Sequence, residues 1–496
     1  MSDLPILSIS ILLPLFSALY ITFFISHSKS RRKQIYAMYV AILSSVLTLI
    51  ATIYLLIRFD PDMQSYQFVE KYSWIKSIGL DFYVGVDGFS VYFVVLTALL
   101  TLICIVASLF TIKKNIKEYL LCFLLLESFC IGAFSALNLL LFYGFFEVIL
   151  IPMYLIIGIW GGEERVYAAV KFFLYTFFGS VFLLIALIYI YGQTGTFEFS
   201  ELAEKMPLLP LEVQQYLWLA TFISFAIKVP MVPFHTWLPD AHVQAPTAGS
   251  VMLAGILLKL GGYTFLRVSL PMLPGASEYF SVYVMWISGF AVIYASLVAL
   301  AQKDMKKMIA YSSVAHMGYV TAGIFSLTVS GIGGAVFQMI SHGLISSALF
   351  LIVGMLYERH HTKEISRYGG VASSMPMLAT FFMIAMLGSV GLPGLSGFVG
   401  EFLSIVGTFD ANPAVGIICA FGVILGAVYM LKLYKCVMFG EVTDSSILSF
   451  KDLKKYEVAT LVPLVMLVIY IGIMPAGVLS SIDIPVENLA GIYDAL

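Results

Sequence analysis

Long apolar runs recur from one end of this chain to the other, separated by short polar interruptions. A helix that crosses a bilayer needs about 20 predominantly apolar residues. Runs of that kind fall near residues 4–26, 35–57, 89–112, 119–137, 138–160, 168–191, 215–238, 247–270, 281–301, 307–327, 331–357, 374–402, 413–438 and 456–476. The pattern predicts an all-α polytopic membrane protein with about fourteen transmembrane helices. The first run lacks a basic leader and a small-residue cleavage site, so it reads as a retained helix. The longer polar stretches, 58–88 and 193–212, and the short tails are too small for separate domains, which predicts one membrane domain.

Composition agrees with the pattern. The chain has 496 residues, 60% hydrophobic and 11% charged, with a mean hydropathy of +0.97, against about 45–50% apolar and about 25% charged in soluble proteins. Counting loops by the number of preceding runs, about eighteen of the 27 basic residues follow odd-numbered runs, and loops with more Lys and Arg stay inside. They include Lys29, Arg31, Arg32 and Lys33; Lys113, Lys114 and Lys117; Lys303, Lys306 and Lys307; and Arg359, Lys363 and Arg367. About five follow even-numbered runs, while Lys171, Lys228, Lys259 and Lys432 fall within runs. Both termini are therefore expected on the outer face. The net charge of −2, with no basic cluster on a soluble domain, points away from nucleic acid.

Several chemistries find no motif. Cys104, Cys122, Cys130, Cys419 and Cys436 lie in or at the edges of apolar runs and form no CxxC pair, which argues against a disulfide framework, an iron–sulfur site or a metal finger. No GxGxxG follows a strand-like run, and no GxxxxGK[ST] occurs. The glycine-rich Gly391–Gly400 lacks the lysine of a phosphate loop and sits in an apolar run, so it reads as a broken membrane helix. No cofactor, metal or redox site is expected in this chain.

What the pattern does contain is charge at membrane depth. Lys228 ends an apolar run and is followed by Pro230 and Pro233, which break the helix beside it. An ammonium there costs several kcal/mol unless it faces protein or water, so it marks an ion pathway by default. Glu147 has apolar flanks on both sides and is a natural partner for Lys228; the bland alternative is a carboxyl kept protonated by burial. Lys259 is distant from any loop into which it could snorkel. His316 and His342 lie on separate runs among serines and suit a proton relay, since histidine titrates near neutrality. Glu401 directly follows the Gly391–Gly400 break. Glu127 and Lys171 remain open between functional and structural roles, and Lys432 reads as a snorkelling lysine. His235, Asp240 and His242 follow the broken helix and either connect the site to solvent or form a satisfied loop network. His27, His360 and His361 read as loop residues.

An offset of about 170 positions carries Glu147 to His316 and Lys228 to Glu401, and both the seventh and twelfth runs are broken by proline or glycine. Paired broken helices at corresponding places point to a transporter with an internal duplication.

The stretch Phe225–Tyr263, FAIKVPMVPFHTWLPDAHVQAPTAGSVMLAGILLKLGGY, resembles the signature of the antiporter-like subunits of proton-pumping NADH–quinone oxidoreductase, respiratory complex I. Related sequences occur in multisubunit cation/proton antiporters. YSSVAHMGY, GIWGGEERVYAAVKFFLYT, GVDGFS and LPGLSGFVGEF are similar to the same family, so the likeness runs from roughly Gly79 to Gly440. It is strongest to the branch with glutamate at the twelfth-helix position, Glu401 here; the sister branches, chains L and N, carry lysine there, as do the antiporters.

The resemblance implies fourteen helices with two inverted five-helix repeats, each containing a broken helix. Helices 1–3 would occupy 1–118, the repeats 119–270 and 271–438, and the last helix and tail 439–496. By position, Glu147 and Lys228 would form the inlet pair, Lys259, His316 and His342 the central relay, and Glu401 the outlet. Partner membrane-arm subunits, including chains L and N, would surround the chain in a bacterial or mitochondrial inner membrane, with FMN, iron–sulfur clusters and quinone held by partners. Moving one charge against a potential costs about 2.3 kcal/mol per 100 mV. A protonation equilibrium displaced by two to three pH units supplies about 2.7–4 kcal/mol, the required scale. A cation/proton antiporter is the alternative, disfavoured by Glu401; a passive scaffold is a third reading, disfavoured by the number of buried charges.

Overall fold

The structure is a computed structural model that describes residues 4–24, 31–76, 79–109, 111–442 and 444–495, with residues 31 and 32 described by backbone alone. His27, Lys29, the side chains of Arg31 and Arg32, and positions 25, 26 and 110 of the expected runs therefore lie outside the described residues. The chain is mostly helical. Among the described residues, eleven helices are long and apolar enough to cross a membrane. Leu211–Lys228, Met305–Phe325 and Pro376–Val390 are not among the eleven, although each covers much of an expected run. The first and third adjoin breaks, and the second carries two lysines, three serine or threonine hydroxyls and His316.

The chain divides into two compact units. The first comprises Met1–Lys228, Ile256–Tyr279 and Ser481–Leu496, the second Val229–Gly255 and Phe280–Ser480.

In the first unit, local chemistry sets the helix ends. The side chain of Asn138 accepts from the amides of Leu140 and Leu141 and starts Leu139–Val148. That helix yields to Leu150–Trp160 at Ile149, because Pro152 has no amide to donate to Val148 and its ring crowds that carbonyl. Gly195, at φ +70°, closes Arg165–Thr194 in the left-handed conformation. The core between helices includes a ring cluster of Phe93, Phe134 and Tyr263 with centroids 5.0–6.3 Å apart.

Three elements depart from the all-α expectation or add to it. The stretch 58–88 contains an antiparallel hairpin, Gln67–Ile75 paired with Leu80–Val86. Its Lys71 bonds Glu198, and that hydrogen bond holds the lysine above its ordinary pKa range. The stretch 193–212 contains the short helix Phe199–Lys205. What read as a C-terminal tail forms the helix Ala476–Asp494. Its Ser481 carbonyl would lie 1.9 Å from a Cβ at Gly88, so only glycine admits this approach.

In the second unit, Asp304, Thr328 and Asn412 cap the helices Met305–Phe325, Val329–His360 and Pro413–Met438. Pro376–Val390 and Ser396–Ala411 are separated by a break in which Gly391 and Gly394 take φ of +79° and +92°. Pro393 cannot donate to Ser389, which prevents the helix from continuing through.

Val329–His360 and Ser396–Ala411 approach so closely that side chains on their shared seam are excluded. A Cβ at Gly334 would lie 2.4 Å from the Ser404 amide nitrogen, one at Gly400 2.6 Å from the Gln338 Cα, and one at Gly407 2.2 Å from the Gly331 nitrogen. Small residues at such an interface replace the hydrophobic drive that lipid does not supply with dispersion between backbones.

Candidate functional site

The glycine seam places the second unit's polar cluster. Gln338 and His342 are one turn apart on Val329–His360, and Glu401 lies on the facing helix one residue beyond Gly400. Nδ1 of His316 is 2.6 Å from Oε1 of Glu401, and Gln338 donates to the same oxygen from Nε2 at 3.0 Å. The other nitrogen of His316 lies 3.1 Å from Oγ of Ser389, in the last turn before the break. The ring of His342 follows at a centroid distance of 5.5 Å from His316. His316, His342 and Glu401 are 5%, 3% and 5% exposed, so their contacts are with protein rather than bulk water.

These residues surround a cavity of about 10 Å3, together with Ser312 and Ser346, scarcely room for one water. Its lining contains groups that accept and donate protons, which is the requirement for a hydrogen-bonded relay. Gln338 was not anticipated. The signal available was an amide in the middle of an apolar run, four residues before His342.

The first unit holds the other expected groups. Lys228 ends Leu211–Lys228, is buried, and has its ammonium 4.4 Å from the centre of the Phe146 ring, a cation–π contact. It lies within electrostatic reach of Glu147, yet no ion pair among the described residues joins the two. Glu147 is only half-buried, between exposed Gly144 and Val148, and its Oε2 has no hydrogen-bond partner among the described residues. Lys259 is fully buried. Its segment, Leu258–Thr264, is bracketed by π-helical turns at Leu253–Leu257 and Phe265–Ser269, a widening that recurs at functional positions in helices.

The remaining candidates divide. Glu127 is fully buried and accepts from Ser45 at 2.9 Å, while its Oε1 has no hydrogen-bond partner among the described residues. His242 is buried and stacks on Phe350 at 4.6 Å; His235 is buried edge-on to Tyr294. Asp240 is half-buried. Lys171 lies 5.6 Å from the Tyr167 ring. Lys432 is exposed and donates to the Leu300 carbonyl at a helix end, as a snorkelling lysine does.

Two features were missed. Lys306, counted with the loop cations, is 4% exposed and donates to the Ala245 carbonyl at 2.7 Å. Lys363 donates to Val243 at 2.6 Å, so both ammoniums stabilise the negative end of Trp237–Gln244. In the first unit, Arg267 pairs with Asp87, within the GVDGFS motif.

A family model for the transmembrane subunits of NADH:quinone oxidoreductase and Mrp antiporters matches residues 136–426. The NADH-quinone oxidoreductase subunit M of Rickettsia bellii is 67% identical over 489 residues, 99% of each chain. The NADH-ubiquinone oxidoreductase chain 4 of Marchantia polymorpha is 48% identical over 456 residues, 91% of each. A chain from the structure of respiratory complex I of Thermus thermophilus with bound NADH superposes with a TM-score of 0.89 at 29% identity, covering 98% of this chain and 99% of that one.

Proposed function

The chain belongs to the membrane-subunit family shared by NADH:quinone oxidoreductase and Mrp antiporters, and from that premise we propose that it translocates protons through its buried Lys, Glu and His residues. It is an antiporter-like subunit of NADH-quinone oxidoreductase, of the subunit M or chain 4 type, and is a membrane protein of a multisubunit complex. The observation that carries the reading is the contact of His316 with Glu401 beside Gln338 and His342. A histidine and a carboxyl packed around one small cavity, with an amide holding the carboxyl in place, can exchange a proton without needing bulk water.

In order of passage, Glu147 and Lys228 serve as the inlet pair, Lys259, His316 and His342 as the centre, and Glu401 as the outlet. Glu147 stands at the half-exposed edge of its helix, which suits a group whose charge balance is set from a neighbouring subunit. Moving that carboxylate relative to Lys228 changes the Coulomb term that holds the lysine proton. The energy comes from quinone reduction in partner subunits, which carry FMN, iron–sulfur clusters and quinone. Chains L and N are the expected neighbours. The architecture is fourteen spans with two inverted five-helix repeats, 119–270 and 271–438, and both termini on the outer face of a bacterial or mitochondrial inner membrane.

The test is Lys228→Ala in the assembled complex. Proton pumping driven by NADH in sealed vesicles is expected to be largely lost, with quinone reduction falling alongside if the steps are tightly coupled. A normal proton-to-electron ratio in this variant would overturn the proposal.

A further inference from the structure

Lys259, Tyr263 and Arg267 are spaced four residues apart, which sets them on one face of the helix Thr247–Met272. Arg267 lies about 12 Å along the axis from Lys259, from eight residues at 1.5 Å rise. With the termini outside, it lies toward the outer face. This row looks like a direct exit for a proton on Lys259. Its hydrogen bonds close it instead.

The Tyr263 hydroxyl has one proton to give, and donates it to the Phe134 carbonyl at 3.0 Å. It accepts from Nε of Arg267 at 3.1 Å. A backbone carbonyl holds no transferable proton, so the tyrosine's donor side ends in a dead end. Arg267 has five donors and no acceptor, and keeps its charge at any working pH. It therefore cannot take a proton from one neighbour and pass another onward. Beyond it, Oδ1 of Asp87 receives the guanidinium together with the amides of Phe89 at 3.1 Å and Ser90 at 3.2 Å. Around the guanidinium stand the rings of Tyr66, Phe89 and Tyr263, with centroids 5.2–5.5 Å from its central carbon. Rings on that many sides leave little space for a water chain to bypass the cation. The Gly88–Ser481 contact clamps the same turn from the C-terminal helix.

We infer that Asp87, Arg267 and Tyr263 form a proton-tight seal at the outer end of the Lys259 helix, which denies protons on Lys259 a direct exit in the first unit. The inference rests on the translocation reading and adds to it a set of sealing residues that neither load nor relay a proton. A fixed arginine that excludes protons from an otherwise polar path is an established physical device.

The experiment uses the assembled complex in proteoliposomes without NADH, and follows proton entry driven by a potassium diffusion potential. Asp87→Asn/Arg267→Gln removes both charges together, so neither ion is left uncompensated. It is expected to admit protons several-fold faster than the parent, and to lower the proton-to-electron ratio during turnover while NADH oxidation continues. Adding Lys259→Met to that background is expected to restore tightness, because the leak then lacks its inner station. Where the double variant fails to assemble, Arg267→His decides. Histidine accepts on one nitrogen and donates from the other, so it is expected to turn the seal into a leak, whereas Arg267→Lys stays tight. Vesicles as tight as the parent with Asp87→Asn/Arg267→Gln or with Arg267→His would overturn the seal, as would a leak that persists after Lys259→Met. The passive assay needs no turnover, so its failure is distinct from a failure of the Lys228 test.

Discussion

Nδ1 of His316 and Oε1 of Glu401 lie 2.6 Å apart although 85 residues separate them in the chain. The same carboxylate oxygen accepts the Gln338 amide, and a Cβ on Gly391 would come within 3.3 Å of the other. Glu401 is thus fixed by two side chains and a glycine turn at a broken helix, which admits two roles for it. It either takes up a proton or only satisfies donors around the break.

Substitution separates these roles. Glu401→Gln keeps an acceptor for Gln338 but cannot carry a proton, so proton translocation is expected to fall several-fold at normal assembly. Glu401→Lys is expected to retain partial activity, since sister branches use lysine there and Oε1 of Gln338, which has no hydrogen-bond partner among the described residues, can accept from an ammonium. Pumping assays at matched assembly decide. Glutamine outperforming lysine would show that the carboxylate serves only as a cap.

For Glu147 the expected outcome follows from charge rather than hydrogen bonding. Its Oε2 has no hydrogen-bond partner among the described residues, and the carboxylate lies within electrostatic reach of Lys228. Glu147→Gln should therefore match Glu147→Ala, with most pumping lost and the complex still assembled. Measured proton-to-electron ratios check this; a fully coupled glutamine variant would rule out a role for the charge.

The glycine seam carries a stability prediction. Gly334→Ala puts a methyl 2.4 Å from the Ser404 nitrogen, a backbone atom that cannot swing away. Overpacking of that kind costs about 1–3 kcal/mol. The variant complex is expected to melt at lower temperature and accumulate less, with pumping impaired because Gln338 and Glu401 are displaced together. An unchanged melting temperature would mean that the two helices separate freely.

Orientation is testable at Lys303, which is exposed, whereas Lys306 is not. A single cysteine replacing Lys303 is expected to react with an impermeant maleimide only from the inner face. Reaction in intact cells or right-side-out vesicles would reverse the assigned topology.

Apolar runs of about 20 residues and the helix breaks were legible in the sequence because both are local: burial follows composition, and Pro230, Pro233, Gly391 and Gly394 disrupt hydrogen bonds within a turn of themselves. The buried candidates Lys228, Lys259, His316, His342 and Glu401 stood out for the same reason, a polar group in an apolar window. The tertiary structure decided which groups meet. Gln338 reaches Glu401 across 63 residues and Arg267 reaches Asp87 across 180, and no local pattern encodes either encounter. Lys306 shows the limit from the other side: as sequence it is one more loop cation, and only the fold supplies the Ala245 carbonyl that holds it inside. The hairpin at Gln67–Val86 was likewise hidden, since its first strand is largely exposed and lacks the strict alternation that marks a half-buried strand. Periodicity records what a residue's own helix buries, whereas partnership depends on which helix arrives opposite it, and in this chain glycines distributed over separate helices set that approach.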